Sequence, residues 1–259
     1  MLHTILPHEP NIWYIHTARA NHVCKKCMMS ATTNAASKPR GAFIVLEGLD
    51  RCGKTTQAAL LAEHLAAANI AVEAVQFPSR SSAIGQLINT YLTTTSSSSC
   101  GGGESMSDEA VHLLFSANRW EQSASLAARL ASGCTLVCDR YAHSGAAYSI
   151  AKLLDDGWCK ACDIGLPAPD CIIYLDITPE DAARRGDFGG ERYEKIDFQR
   201  EVCGRFMDLK ADNAYADDPI PWHVIDATES VGAVRAQIAA IAETVVASVQ
   251  YTPINKLAW

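Results

Sequence analysis

The stretch 41–57, GAFIVLEGLDRCGKTTQ, constrains this chain more than any other, because an apolar run there ends in a glycine-framed loop carrying a lysine and a threonine. Residues 42–46 read as a buried parallel strand, and Gly48-Leu49-Asp50-Arg51-Cys52-Gly53-Lys54-Thr55 satisfies the spacing G-x-x-x-x-G-K-[ST]. Beyond Lys54, the residues Ala58, Leu61 and Leu65 recur at helical spacing within 55–68, so the loop lies between a strand and a helix N-terminus. Backbone amides and the helix dipole at such a junction attract phosphate. Lys54 can bridge the β- and γ-phosphates, and the Thr55 hydroxyl can ligate Mg²⁺. A kinase, a GTPase and a motor-type ATPase all use this loop, so it fixes a ligand class and not a reaction.

With 259 residues, 48% of them hydrophobic, the chain has material for one α/β core plus tails. We divide it into an extension at 1–39, a domain at 40–248 and a C-terminal tail at 249–259. A net charge of −7 argues against a nucleic-acid partner, so phosphate affinity has to come from a local cluster of basic residues. No apolar run reads as long enough to span a bilayer, and the N-terminus has no secretory h-region, which we take as a cytoplasmic protein with no membrane partner. The extension sets one acid, Glu9, against Arg19, Lys25, Lys26 and Lys38, ends in small polar residues, and reads as disordered. An import leader for mitochondria or another organelle is the alternative, and Pro7 and Pro10 interrupt the helix it would need.

The 10 cysteines are read as free thiols in a chain without an export signal. Cys24 and Cys27 have half of a zinc-site spacing without a second pair nearby. Cys159 and Cys162 resemble a redox motif but lack its βαβ setting, and ordinary cysteines on a helix surface are the preferred reading.

After the first helix, 71–76 reads as a second buried strand, stopped by Phe77-Pro78 and followed by a polar turn that can cap a helix at 83–92. The run 93–107 is low-complexity loop. A helix resumes at 108 and continues, with one break, to 131. Three more strands follow at 136–139, 171–176 and 222–226, and Thr178-Pro179-Glu180-Asp181 reads as the start of a helix. Alternating strands and helices imply a mainly parallel sheet with helices on both faces and ligands at the carboxyl ends of the strands.

Asp139, at a strand end beside the phosphate loop, suits Mg²⁺, and the adjacent Arg140 suits a second phosphate. The loop QFPSRSS offers Arg80 and no acid. A kinase acting on a sugar hydroxyl needs a carboxylate base, whereas a phosphate dianion is already nucleophilic, so Arg80 favours a phosphate acceptor. The segment 183–194 packs Arg184, Arg185 and Arg192 with three glycines between helices, as a closing lid or as a charged connection. Arg51 inside the phosphate loop favours phosphoryl transfer, since it can stabilise transition-state charge in cis. Phe115 and Arg119 share a helical face and can stack on and hydrogen-bond a flat base, although a core phenylalanine with a solvated arginine is the commoner arrangement.

Together EGLDRCGKTTQ, FPSR, HLLFSANRWE, DRYAHSGAAY, GLPAPD, RRGDFGGERYE and IDATES resemble a thymidylate kinase of the eukaryotic kind, over roughly 40–245. The resemblance implies a P-loop NTPase fold with a five-stranded parallel sheet and a short lid, ATP- and Mg²⁺-dependent conversion of dTMP to dTDP, and a homodimer. It further implies that Gly48, Leu49, Asp50, Arg51, Cys52, Gly53, Lys54, Thr55 and Thr56 hold ATP with Arg184, Arg185 and the backbone of Asp226, Ala227 and Thr228. Catalysis falls to Arg51, Lys54 and Asp139, and the metal to Thr55 and Asp139. For dTMP it implies Asp50 at the 3′-hydroxyl, Arg80 and Arg140 at the phosphate, Phe115 and Arg119 at the base, and Phe77, Ser144, Gly145, Tyr148 and Gln199 around it. Tyr193 falls where a 2′-hydroxyl would intrude. Cys52 inside the loop and Tyr148 in place of phenylalanine depart from the family pattern. The competing readings are a deoxynucleoside kinase, which Arg80 disfavours, and a nucleotide-binding switch, for which no guanine-reading motif is present.

Overall fold

The structure, a computed structural model, describes residues 39–94, 106–186 and 188–259, which belong to one unit, Ser37–Trp259. The extension with its Cys24 and Cys27 pair, and residues 95–105 of the 93–107 loop, lie outside the described residues. In chain order the elements are β1 (Phe43–Gly48), α1 (Lys54–Ala67), β2 (Val72–Gln76), α2 (Ala83–Thr93), α3 (Asp108–Ala131), β3 (Thr135–Asp139) and α4 (Ala142–Ile150). There follow α5 (Asp156–Ala161), β4 (Cys171–Asp176), α6 (Pro179–Ala183), α7 (Ile196–Asn213), β5 (Trp222–Asp226) and α8 (Val231–Val249).

The five strands form one parallel sheet in the order β2-β3-β1-β4-β5. β1 is central and wholly buried, as the apolar run Phe43-Ile44-Val45-Leu46 requires of a strand covered on both faces. One apolar layer joins Ile44, Leu46 and Ile173 to Leu61 and Leu65 of α1 and Ile238 and Ala242 of α8. A second joins Phe43 and Val45 to Leu126 and Leu130 of α3. Each such leucine, isoleucine, valine or phenylalanine removed from water contributes about 1.5–3 kcal/mol.

Three expectations change. The sequence reads the second strand as buried, but β2 and β5 are the edges of the sheet and both are partly exposed. α3 has no break; no glycine or proline interrupts it, and its buried polar residues Ser116, Asn118 and Arg119 find partners across the fold. α8 is long and apolar enough, by length and composition, to cross a membrane, contrary to the reading that no such run exists. Its Val234, Ile238, Ala242 and Val245 pack in the core layer that includes α1. The caps were legible: Ser82 accepts from Gly85 N at 3.0 Å and Thr178 from Asp181 N at 3.1 Å.

Residues 250–259 are docked. Leu257 is buried and its N–H donates to Leu166 O at 2.7 Å, and Trp259 meets the His143 ring at 4.8 Å. His143 is buried between Trp259 and Trp222, and its Nδ1 has no hydrogen-bond partner. Burial, with the Arg119 and Lys160 charges adding to it, pushes its pKa from 6.5 down to about 3. Between those values the unfolded chain binds a proton that the folded chain refuses, so stability present above about pH 6.5 is lost as pH falls. His143→Phe, which removes this proton and keeps a ring between the tryptophans, is expected to abolish about 2 kcal/mol of the stability lost between pH 7 and pH 5. Denaturant melts of both proteins at the two pH values check it, and parallel losses would refute it.

Candidate active site

The carboxyl ends of β1 and β3 place the phosphate loop and Asp139 side by side, because Leu46 and Asp139 are register partners. Gly48 turns the chain out of β1 at φ 144°, and a Cβ there would come within 2.8 Å of both Cys52 Sγ and Leu175 O, so only glycine fits. The Lys54 ammonium is buried in the loop and donates to Leu49 O at 2.6 Å, Gly48 O at 3.2 Å and Cys52 Sγ at 3.4 Å. Cys52 is itself buried at 2% exposure, so it is a packing residue of the loop. Thr55 Oγ1 donates to Asp139 Oδ2 at 2.5 Å, and Asp139 Oδ1 is buried without a partner.

Two arginines of this region have left-handed backbone, Arg51 at φ 62° and Arg140 at φ 68°. Such a conformation costs about 1–2 kcal/mol for a residue with a Cβ and persists where the surroundings dictate it. Arg140 N donates to Leu46 O at 3.0 Å, while its guanidinium bonds Gly48 O at 3.0 Å, Ser144 Oγ at 3.1 Å and Asp50 Oδ1 at 2.5 Å. Burial alone would lower its pKa, but the groups around it, Asp50, Asp139 and Glu47 among them, raise it, so the cation is secure. Gln199 grips Asp50 twice, from Nε2 to Oδ2 at 2.7 Å and from Asp50 N to Oε1 at 3.0 Å. Arg51 Nε pairs with Glu194 Oε1 at 2.7 Å.

The two lid arginines separate. Arg185 reaches the loop, donating to Cys52 O at 2.8 Å and to Ala227 O. Arg184 is exposed, pairs with Asp181, and does not line the cleft. Of the 226–228 segment only Ala227 lines it; Asp226 Oδ1 instead accepts from Thr228 N at 2.8 Å and Thr228 Oγ1 at 2.6 Å.

At the far end, Arg80 projects from the turn after β2, its guanidinium on Asn89 Oδ1 and Glu191 Oε1, each at 2.8 Å. Asn118 holds that turn by its main chain, accepting from Ser79 N at 2.7 Å and donating to Ser79 O at 3.0 Å. Arg119 is not the solvated arginine of the commoner arrangement. It is buried against Asp163, at 3.1 Å from Nε and 2.6 Å from NH2, and Ser116 Oγ supports the same carboxylate at 2.8 Å. A Cβ at Gly145 would lie 2.6 Å from Arg119 NH2, so the glycine makes room for the guanidinium. Glu47, wholly buried, accepts from Tyr141 N, Ser144 N and Ser144 Oγ at 3.0, 3.1 and 2.5 Å, serving as the cap that α4 lacks in its own sequence. Burial raises its pKa against the lowering effect of Ser144 and Arg140. Tyr148 and Tyr193 meet at 5.6 Å, and Lys152 Nζ donates to Tyr193 OH at 2.7 Å.

One cavity of about 830 Å³ spans both ends. Its wall includes Arg51, Lys54, Thr55, Asp139 and Arg185 at one end, and Phe77, Arg80, Phe115, Arg119, Ser144, Gly145, Tyr148 and Tyr193 at the other, with Asp50 and Arg140 on it too. Gln199 is buried behind Asp50. Glu47, Asp163, Lys152, Asn118 and Glu194 were not found from the sequence; each acts through a distant partner, and no local spacing announces it. Cys159 is buried in α5, not on its surface, and burial pushes its thiol up to about 12, which does not suit redox exchange.

A family model described as thymidylate kinase matches residues 46–238. The chain is 43% identical to the thymidylate kinase of Homo sapiens over 221 residues, 84% of this chain and 97% of that protein. It is 45% identical to that of Arabidopsis thaliana over 206 residues, 80% and 72% of the two chains. The solved structure of a Candida albicans thymidylate kinase superposes with a TM-score of 0.68 at 36% identity, covering 79% of this chain and 92% of that one.

Proposed function

The chain belongs to the thymidylate kinase family and phosphorylates dTMP to dTDP with ATP as donor, and on that premise we propose how its cleft carries the transfer. ATP lies along the phosphate loop, with its phosphates at Lys54 and Thr55 and its base beside Ala227. dTMP lies opposite, its phosphate between Arg80 and Arg140, its 3′-hydroxyl at Asp50 and its base between Phe115 and Arg119. The observation that carries this reading is that both ends line one cavity. A phosphate dianion needs no base to deprotonate it, so the acceptor end requires positive charge and orientation more than a proton acceptor. Arg51 stabilises the transferring phosphoryl group, and the Tyr193 side chain crowds the 2′ position of the sugar beside Tyr148.

The donor set suits Mg²⁺: Thr55 Oγ1 beside Asp139 is a pair of hard oxygen ligands, and the buried, unpartnered Asp139 Oδ1 is an atom that a cation would satisfy. We assign the metal to these two residues, where it would neutralise charge on the ATP phosphates.

The test is ADP release with ATP against dTMP, dUMP, AMP and thymidine. Turnover is expected with dTMP, at least about a hundredfold above AMP, and none with thymidine. Chelation of divalent cations is expected to abolish it and added Mg²⁺ to restore it. Phosphorylation of thymidine in preference to dTMP would overturn the acceptor site built on Arg80.

A further inference from the structure

The turn that closes the lid is organised by a carboxylate. Glu194 is 7% exposed, and its Oε2 accepts from Gly189 N and Gly190 N, each at 2.8 Å, and from Glu191 N at 3.2 Å. Three converging main-chain donors fix one oxygen, so the other points in a set direction, and there it meets Arg51 Nε at 2.7 Å. Nε is the guanidinium nitrogen nearest the stem, so a contact to it orients the plane of the fork. The neighbours of Glu194 are tied in as well: Gln199 Nε2 bonds Tyr193 O at 3.0 Å and the Asp50 carboxylate at 2.7 Å, and Arg185 bonds Cys52 O at 2.8 Å. The lid and the phosphate loop are thus joined at three successive loop residues, and only the junction at Arg51 pairs two full charges.

We propose that Glu194 is a positioning residue: by holding Arg51 Nε with one oxygen and the 189–191 turn with the other, it makes placement of the Arg51 guanidinium conditional on lid closure. This rests on the reading of Arg51 as the group that stabilises the transferring phosphoryl. Glu191 is not placed to do the same, since its pairing with Arg80 is partly exposed and lacks a main-chain anchor.

The experiment is a double-mutant cycle on the full chain, with kcat and KM for dTMP measured for wild type, Glu194→Gln, Arg51→Ala and the double variant. Glu194→Gln keeps the size and one acceptor oxygen but removes the charge. It is expected to lower kcat about tenfold or more with KM within about twofold. In the Arg51→Ala background the same change is expected to alter kcat by less than about twofold, because the interaction it breaks is already gone. Glu194→Asp, which keeps the charge, recovers part of kcat. Equal losses in both backgrounds, a rise in KM with kcat intact, or full activity of Glu194→Gln would each overturn the proposal. If wild type turns over dTMP and Arg51→Ala is fully active, the reading of Arg51 fails instead, and absence of wild-type turnover would remove the assignment of function itself.

Discussion

Arg51→Ala is expected to lower kcat for dTMP by about a thousandfold, with KM for both nucleotides within a few-fold, since an arginine acting in cis on the transferring phosphoryl supplies on the order of 10³ or more. The residue is held by a left-handed backbone at φ 62° and by Glu194, and the side chain lines the cleft. Alanine keeps a Cβ at that φ, so the backbone strain is the same and the melting temperature is expected to shift little. The lid arginines divide sharply by comparison. Arg185, which ties Cys52 O to Ala227 O, is expected to cost about tenfold when replaced by alanine; Arg184, exposed on Asp181, less than twofold. Steady-state kinetics on the three variants decide it. A smaller loss at Arg51 than at Arg185 would move the charge stabilisation to the lid.

The second large effect is expected at Gly145→Ala, where one methyl group acts on both stability and dTMP binding. The added Cβ would lie 2.6 and 2.8 Å from the terminal nitrogens of Arg119. The end of an arginine can ordinarily swing aside. This one is 2% exposed and fixed on Asp163 by two bonds, so moving it breaks a buried ion pair. Such a rupture costs about 3–5 kcal/mol when complete, and overpacking without rupture about 1–3. We expect a loss of about 2–4 kcal/mol in denaturant unfolding and a rise of at least about tenfold in KM for dTMP, with KM for ATP unchanged. A variant of wild-type stability and KM would show that Arg119 has room that its partners do not suggest.

How much of this was legible beforehand depends on how far apart the cooperating residues are. The strand, loop and helix around Lys54 are contiguous, and Arg51, Lys54, Thr55 and Asp139, which all line the cleft, stand out by motif and placement. The pairs that finish the site are not: Arg51 with Glu194 spans 143 positions, Arg119 with Asp163 spans 44 and Ser144 with Glu47 spans 97. Glu47 lies within a strand that reads as uniformly apolar on either side, and its acid becomes intelligible only when α4 arrives without a cap of its own. Arg184 and Arg185 could not be separated in the sequence, since neighbours at the end of a short helix face different directions only once that helix has been placed.

Asn118 grips Ser79 by its peptide N–H and its carbonyl and takes nothing from the serine side chain. At position 79 that amide meets main chain alone, whatever residue supplies it, while its Nδ2 also donates to Glu121 Oε1 at 2.6 Å. A change of side chain at position 79 therefore leaves in place the two bonds by which Asn118 holds the turn that carries Arg80.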